Sequence, residues 1–318
     1  MARASYDVNG RTVFITGAAR GIGAESARRL HAKGANLALV GLEPERLEAL
    51  AAELGDRTAV FEADTTDAGA LERAAAGTVA QFGGIDVAIA NAGIQLSGAV
   101  LTGNPEAIER TMEVNLFGVW RTDRAVLRHI IDRKGYLLNV ASLAAISHAP
   151  LMAAYAASKA GVEAFTDALR VETAPTGAKV GCAYFGFIDT DIVRGSFAQP
   201  SAQAMMKMMP GGLTRPAPLS YAIDAIEQGV ERRSARVWAP RFVGPAMVLR
   251  GIIQPVSEWR MIQFGLKHIA EGTRLADPAT GADKPEDPLL GASSVAIDEG
   301  NASPADPEVA APEPAGRA

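Results

Sequence analysis

The chain has 318 residues, 48% of them hydrophobic and 21% charged, with a net charge of −5. That composition fits a globular protein with a sizeable core, and one α/β domain of about 250 residues with an appendage accommodates the length. The acids concentrate at the end: residues 276–318 hold nine acids and two bases, a net of −7, which leaves the preceding 275 residues near +2. A body so close to neutral lacks the clustered basic face that a nucleic-acid partner requires. The single cysteine, Cys182, excludes an intrachain disulfide and any site built from several thiolates, and its apolar neighbours mark it as an inert thiol. The first residues carry no long apolar stretch of the signal-peptide kind. No window supplies about 18 uninterrupted apolar residues, so no spanning helix is expected. A cytoplasmic protein is the expectation.

Short apolar runs alternate with longer amphipathic ones, which predicts a doubly wound α/β fold with a mostly parallel sheet. In chain order the predicted strands are Thr12–Thr16, Asn36–Val40, Thr58–Ala63, Asp86–Ala90, Tyr136–Ala141, Lys179–Tyr184 and Arg236–Ala239. Between them, helices are predicted over Ile22–Lys33, Pro44–Leu54, Ala68–Phe82, Pro105–Ile131, Ala153–Thr173 and Ser220–Glu231. Residues 1–240 are read as one domain. Within it, residues from about 191 to 218 form an insertion with Met205, Met206, Met208 and Met209 followed by Pro210, Gly211, Gly212, Pro216 and Pro218. Thioethers repack easily, so this stretch suits either a pliable wall against a bulky apolar substrate or simple packing against the body. Residues 241–275 read as an amphipathic helical extension. Its basic residues Arg241, Arg250, Arg260 and Lys267 would allow membrane-surface contact, but packing on the body or a partner subunit is the stronger expectation. Residues 276–318, rich in Pro, Ala, Asp and Glu, cannot bury enough surface to offset their ordering entropy and are expected to be disordered.

The first predicted strand runs into Thr16-Gly17-Ala18-Ala19-Arg20-Gly21-Ile22-Gly23 and then a helix. Glycines there let the backbone approach a pyrophosphate, and the helix N-terminus offers free N–H groups and a partial positive charge. Tyr155 and Lys159 stand four residues apart in a predicted helix, on one face. A phenol ionises near pH ~10, and a neighbouring ammonium favours the phenolate, so the pair is a plausible acid/base unit. Ser142 follows the fifth strand and Asn91 the fourth, at the carboxyl ends where ligands of open α/β sheets bind. Asn115 falls in an apolar helical segment, where its amide must be hydrogen-bonded if buried.

Together these motifs resemble the short-chain dehydrogenase/reductase family, in its shorter branch, with G-x-x-x-G-x-G at Gly17, Gly21 and Gly23 and Y-x-x-x-K at Tyr155 and Lys159. The resemblance spans roughly residues 8–240. It implies a Rossmann-type sheet and an NAD(P)-dependent oxidoreductase acting on a carbonyl or secondary alcohol, in a homodimer or homotetramer. In that scheme Tyr155 is the acid/base and Lys159 lowers its pKa and binds the nicotinamide ribose. Ser142 orients the substrate oxygen, and Asn115 holds a water on the proton path to Lys159. Gly17, Arg20, Gly21, Ile22 and Gly23 line the cofactor, Asp64 meets the adenine, and Asn91 and Gly93 belong to the family's N-N-A-G, here Ala90-Asn91-Ala92-Gly93. The family's Pro-Gly after the sixth strand is Phe185-Gly186 here, with Ile188 and Thr190 kept for the carboxamide. Phe185 or Phe187 would then be placed to intrude on the substrate pocket. Gly41 stands where NAD-preferring members carry an Asp, and Arg20 offers a cation to a 2′-phosphate, whereas Glu43 would repel one. The balance leans to NADP(H) over NAD(H). Two other readings stand beside this one. A nucleotide-sugar epimerase or dehydratase would carry a different glycine spacing, and a catalytically silent NAD(P) sensor would commonly lack Tyr155 or Lys159.

Overall fold

The computed structural model describes residues 5–208 and 215–283. Seven parallel strands form one sheet: β1 (Thr12–Thr16), β2 (Asn36–Gly41), β3 (Thr58–Glu62), β4 (Val87–Ala90), β5 (Tyr136–Val140), β6 (Lys179–Phe185) and β7 (Arg236–Ala239). Their spatial order is β3-β2-β1-β4-β5-β6-β7. This is a Rossmann-type arrangement, in which the strand order reverses beside β1. Every residue of β1, β4 and β5 is buried, the signature of strands covered on both faces.

The helices are α1 (Gly21–Ala32), α2 (Pro44–Leu54), α3 (Ala68–Phe82), α4 (Pro105–Met112), α5 (Gly118–Asp132), α6 (Ala153–Thr173), α7 (Asp191–Ala198), α8 (Pro200–Met206), α9 (Leu219–Arg232), α10 (Val243–Val248), α11 (Arg250–Phe264) and α12 (Leu266–Leu275). Leu30 of α1, Leu47 and Leu50 of α2, and Ile226 of α9 pack with Ile15, Leu39 and Ile89 on one face of the sheet. Leu71 of α3, Val126 and Ile130 of α5, and Leu169 of α6 pack with Phe14, Ala88 and Leu137 on the other. Apolar residues alternate between the two layers because strand side chains alternate faces.

Three expectations change. The helix predicted over Pro105–Ile131 divides: α4 ends at Met112, one turn of π-helix covers Glu113–Phe117, and α5 follows. An apolar period alone does not reveal one extra residue in a turn, and such π-turns are frequent at functional sites. The start of the stretch expected to be disordered is ordered. Residues Pro278–Thr280 form a 3-10 turn, and the Asp283 carboxylate accepts from the amide and hydroxyl of Ser201 at the start of α8. The remainder of that stretch, from Lys284, lies outside the described residues, as do Met209, Pro210, Gly211 and Gly212 of the insertion. The extension packs on the body only in part. Met205 and Met208 seat against Gly272 and Gly265 beside α12, while no residue of α11 is buried.

The core beneath α5 contains a carboxyl group. Asp123 is 1% exposed. Its Oδ2 accepts from Asn139 Nδ2 at 2.7 Å, and that amide also donates to Thr166 Oγ1 at 3.1 Å. Among the described residues Asp123 Oδ1 and Asn139 Oδ1 have no hydrogen-bond donor. Burial pushes the Asp123 carboxyl up to about 8 despite the hydrogen bond from Asn139. The folded state therefore holds this proton more tightly than the unfolded chain, so the stability it confers is present at low pH and is lost as pH rises through about 8. Asp123→Asn is expected to flatten that decline, gaining on the order of a few kcal/mol over wild type by alkaline pH. Urea unfolding of both proteins across acidic to mildly alkaline pH checks this; parallel stability curves would contradict it.

Candidate active site

The carboxyl ends of β1, β4, β5 and β6 lie side by side in the sheet, and most of the predicted site residues are on or near the segments that follow them. Gly17 leaves β1 at φ +65°, in the left-handed region that favours glycine. A Cβ on Gly23 would overlap the Gly17 carbonyl oxygen, so α1 starts hard against the strand it follows. Asn91 locks this turn across the sheet. Its Nδ2 donates to the carbonyls of Thr16 at 3.0 Å and Gly17 at 3.3 Å, and its own amide donates to Thr16 Oγ1 at 3.0 Å. Ala92 donates to the same hydroxyl at 3.2 Å. Sequence reading missed Thr16; a hydroxyl on the last residue of a strand before a glycine turn was its only signal.

The turn fits a dinucleotide phosphate. The Arg20 side chain makes no capping hydrogen bond at the start of α1, and the first turn holds no acid. The helix N-terminus therefore keeps amides and a positive dipole end for an anion. Ile22 packs against the core beneath. Gly21 faces the Thr190 methyl, which brings the loop after β6 against the phosphate turn. Thr190 caps α7 by accepting from the Val193 amide at 3.4 Å, and Ile188 is buried beside it. Asp64, after β3, accepts from the Thr66 amide at 2.8 Å and from Arg110 at 3.1 Å. Burial alone would raise its pKa, but these donors hold the carboxyl below its ordinary range.

At the end of β2, Arg20 pairs with Glu43 at 2.8 Å, and Arg46 meets the other oxygen of Glu43 at 2.9 Å. Arg46 stands five residues beyond Gly41, and nothing in the local sequence signals that it meets Glu43. The first turn of α2 brings it onto Glu43 beside Arg20.

The side chains predicted to carry the chemistry follow β5 and lie on α6. Lys159 is buried at 4% exposure, and its ammonium donates to the Val140 carbonyl at 2.9 Å. It lies 5.9 Å from the centre of the Tyr155 ring. Ser142 Oγ accepts from the Ala144 amide at 3.1 Å and donates to the Phe185 carbonyl at 3.4 Å. The expected lowering of the Tyr155 pKa by Lys159 is not what the protein alone produces. Burial raises the phenol, and the Ser142 hydroxyl partly opposes it. Burial also pushes the Lys159 ammonium down to about 8. Desolvation dominates at both groups, and the ammonium donates to the Val140 carbonyl. Tyr155 is accordingly held as a neutral phenol, in the form that can give up a proton.

Asn115 sits in the π-turn with no exposure. Its Oδ1 accepts from the Ile94 amide and its Nδ2 donates to the Ile94 carbonyl, both at 2.8 Å, with a further bond to Ser158 Oγ at 3.3 Å. The side chain thus pins the loop after β4 to α6, and Gly93 rests against both Asn115 and Lys159. Phe185 is buried in the core, and Phe187 packs edge-on against Phe197 of α7 at 4.9 Å. Cys182 is buried, and burial pushes its thiol up to about 11, which keeps it protonated and unreactive.

Comparison with known proteins agrees with this geometry. Residues 11–201 match the family model described as short chain dehydrogenase. The 3beta-hydroxysteroid dehydrogenase 1 of Eggerthella lenta is 33% identical over 250 residues, covering 76% of this chain and 95% of that protein. Nodulation protein G of a Rhizobium species is 35% identical over 186 residues, covering 58% of this chain and 76% of its own length. Among solved structures, a 3-ketoacyl-(acyl-carrier-protein) reductase from Brucella melitensis complexed with NADH superposes with a TM-score of 0.65 at 25% identity, over 73% of this chain and 97% of that one. The chain belongs to the short-chain dehydrogenase family: it is an oxidoreductase of the class whose fold binds NAD(H) or NADP(H). Among the described residues no helix is long and apolar enough to cross a membrane.

Asn115 supplies a structural test of the site. Asn115→Ala leaves the amide and carbonyl of Ile94 without their partners, at about 1–3 kcal/mol for each buried group. A loss of about 2–5 kcal/mol in chemical denaturation is the expected outcome; an unchanged midpoint would mean that water replaces the side chain without cost.

Proposed function

We propose that this protein interconverts a carbonyl and a secondary alcohol on a bulky apolar substrate, with Tyr155 as the proton donor and acceptor. The observation that carries the proposal is the grouping of Tyr155, Ser142 and Lys159 at the carboxyl ends of β5 and β6, beside a phosphate-binding turn. A bound nicotinamide supplies or accepts the hydride at the carbon. The chain's own residues handle the oxygen. Ser142 Oγ, anchored by the Ala144 amide, lies beside the Tyr155 hydroxyl, so both can meet one substrate oxygen. In the reducing direction Tyr155 gives its proton to that oxygen as negative charge builds there. Lys159, held at the Val140 carbonyl, stabilises the phenolate that results and would bind the cofactor ribose. Asn115 and Gly93 border the Lys159 ammonium, where a water can pass the proton onward. The apolar substrate is supported by Leu143, Leu151 and Met152 in the segments flanking Ser142 and Tyr155, and by the steroid enzyme among the relatives. A homo-oligomer is part of the same proposal; Phe117, Trp120 and Val171 leave apolar area exposed on the π-turn, α5 and α6.

Tyr155→Phe removes only the transferred proton. It is expected to lower kcat by about 10²-fold or more while leaving cofactor affinity close to wild type. NADPH and NADH oxidation against a panel of ketones and aldehydes, alongside fluorescence titration of the cofactor, is the measurement. Near-normal turnover by the variant would remove Tyr155 from the chemistry.

For the cofactor we propose a preference for NADPH over NADH. Arg20 and Arg46 bring two guanidinium groups to the end of β2, and Glu43 is already held between them. An ionised hydrogen bond to phosphate is roughly twice as strong as a neutral one, so a 2′-phosphate competes with Glu43 for its partners. Gly41→Asp adds a carboxylate at that point and is expected to reverse the order. Parallel titrations of both cofactors at one salt concentration decide it. Clear preference of the wild type for NADH would assign Glu43 to the ribose hydroxyls.

A further inference from the structure

We infer that α11 is a docking surface for anionic lipid, and that it brings the mouth of the proposed active site to the membrane. The inference beyond the reaction itself rests on the outer face of α11. At about 3.6 residues per turn, Ile252, Pro255, Val256, Trp259 and Ile262 share one side of this helix, with Gln263 the sole polar residue among them. The opposite side, with Gln254, Ser257 and Met261, is half-buried against the body. Ile252 is 65% exposed, Val256 56%, Trp259 58% and Ile262 49%; Val248 before the helix and Phe264 at its end are more exposed still, at 84% and 71%. Contiguous apolar area of this kind marks an interaction site rather than ordinary surface.

Charge selects the occupant. Residues 241–275 carry five Arg or Lys against two Glu, a net of +3 within a chain of net −5. Arg250 is committed to Glu163 of α6 at 2.9 Å. Arg241, Arg260 and Lys267 are exposed and make no ion pair among the described residues; Glu258 flanks the same face on the other side. A second copy pressed against this face would bring the same positive excess with it. An anionic lipid surface neutralises it, at a gain for each Lys or Arg near the headgroups. An apolar face with aromatic residues and flanking cations is also the pattern of helices that lie in the membrane interface, with Trp259 and Phe264 packed edge-on at 5.9 Å.

The helix is rigidly coupled to the site. Gln254 Oε1 accepts from the His148 amide at 2.9 Å, in the loop that follows Ser142. Arg250 grips α6, which carries Tyr155 and Lys159. Beyond α11, α12 packs along α8 of the insertion through Met205 and Gly272. Docking would therefore hold the loop after Ser142 and the insertion close to the lipid, from which an apolar carbonyl compound could enter. This last step rests on the proposed function; the docking itself does not.

The test is flotation of the full-length protein with vesicles of phosphatidylcholine alone and of phosphatidylcholine mixed with phosphatidylglycerol. Wild type is expected to float with the mixed vesicles, with a blue-shifted tryptophan emission, and to lose binding in high salt. Ile252→Ser combined with Trp259→Ser is expected to weaken binding about tenfold or more. Arg260→Glu with Lys267→Glu should do the same while leaving the apolar face intact. All these side chains are exposed, and circular dichroism with cofactor titration confirms that the variants fold. Failure of wild type to bind either vesicle overturns the inference. So does a concentration-dependent dimer in sedimentation velocity that the Ile252→Ser, Trp259→Ser variant abolishes without any vesicle binding, since a second copy would then be the occupant. Vesicle binding by a Tyr155→Phe protein without turnover separates this inference from the catalytic one.

Discussion

Parallel pairing of β1 with β2 on one side and β4 on the other is the constraint on which the rest depends. Because the connections leave β1 and β4 in opposite directions across the sheet, their carboxyl ends open a crevice. The crevice collects strand-end residues that are distant in sequence. Thr16 and Asn91 show how tightly: one hydroxyl accepts two amides from across the sheet, and one carboxamide donates to two carbonyls of the glycine turn. The phosphate turn is therefore held by its neighbour strand as well as by its own glycines.

Lys159 carries that order into the chemistry. An ammonium with 4% exposure is costly to bury, and it donates to the carbonyl of Val140 at the end of β5. The bond fixes α6 to the sheet at the point where Ser142 begins the next turn. Burial also sets the protonation states: it keeps Tyr155 a neutral phenol and brings the Lys159 ammonium near 8. An arrangement that holds its acid protonated and its cation close suits donation of a proton to a developing alkoxide.

The extension after β7 obeys a different logic. Its last helix, α12, packs on side chains of the insertion, and Asp283 closes the start of α8. The helix before it, α11, is fastened by Arg250 and Gln254 yet leaves its apolar face outward. That exposed face of Ile, Val and Trp, tethered from behind by polar contacts, is the observation from which lipid docking is inferred.

By itself the sequence determined the sheet, because Val, Ile and Leu runs buried on both faces and glycine turns are local signals with local causes. Gly17, Gly21 and Gly23, and Tyr155 with Lys159, could be read from spacing alone, since a turn and a helix face are set by neighbours within a few residues. Tertiary structure alone decided what depends on packing between distant segments. The π-turn at Glu113–Phe117 arises where Asn115 bonds across to Ile94, and no apolar period records it. Arg46 joins Arg20 on Glu43, and Ser201 finds Asp283 across 82 positions of sequence. The outward face of α11 could not be told from an inward one, because an amphipathic pattern states that a face is apolar but not what covers it. The phenol's raised pKa likewise follows from desolvation, a property of the folded surroundings and not of the residue or its spacing.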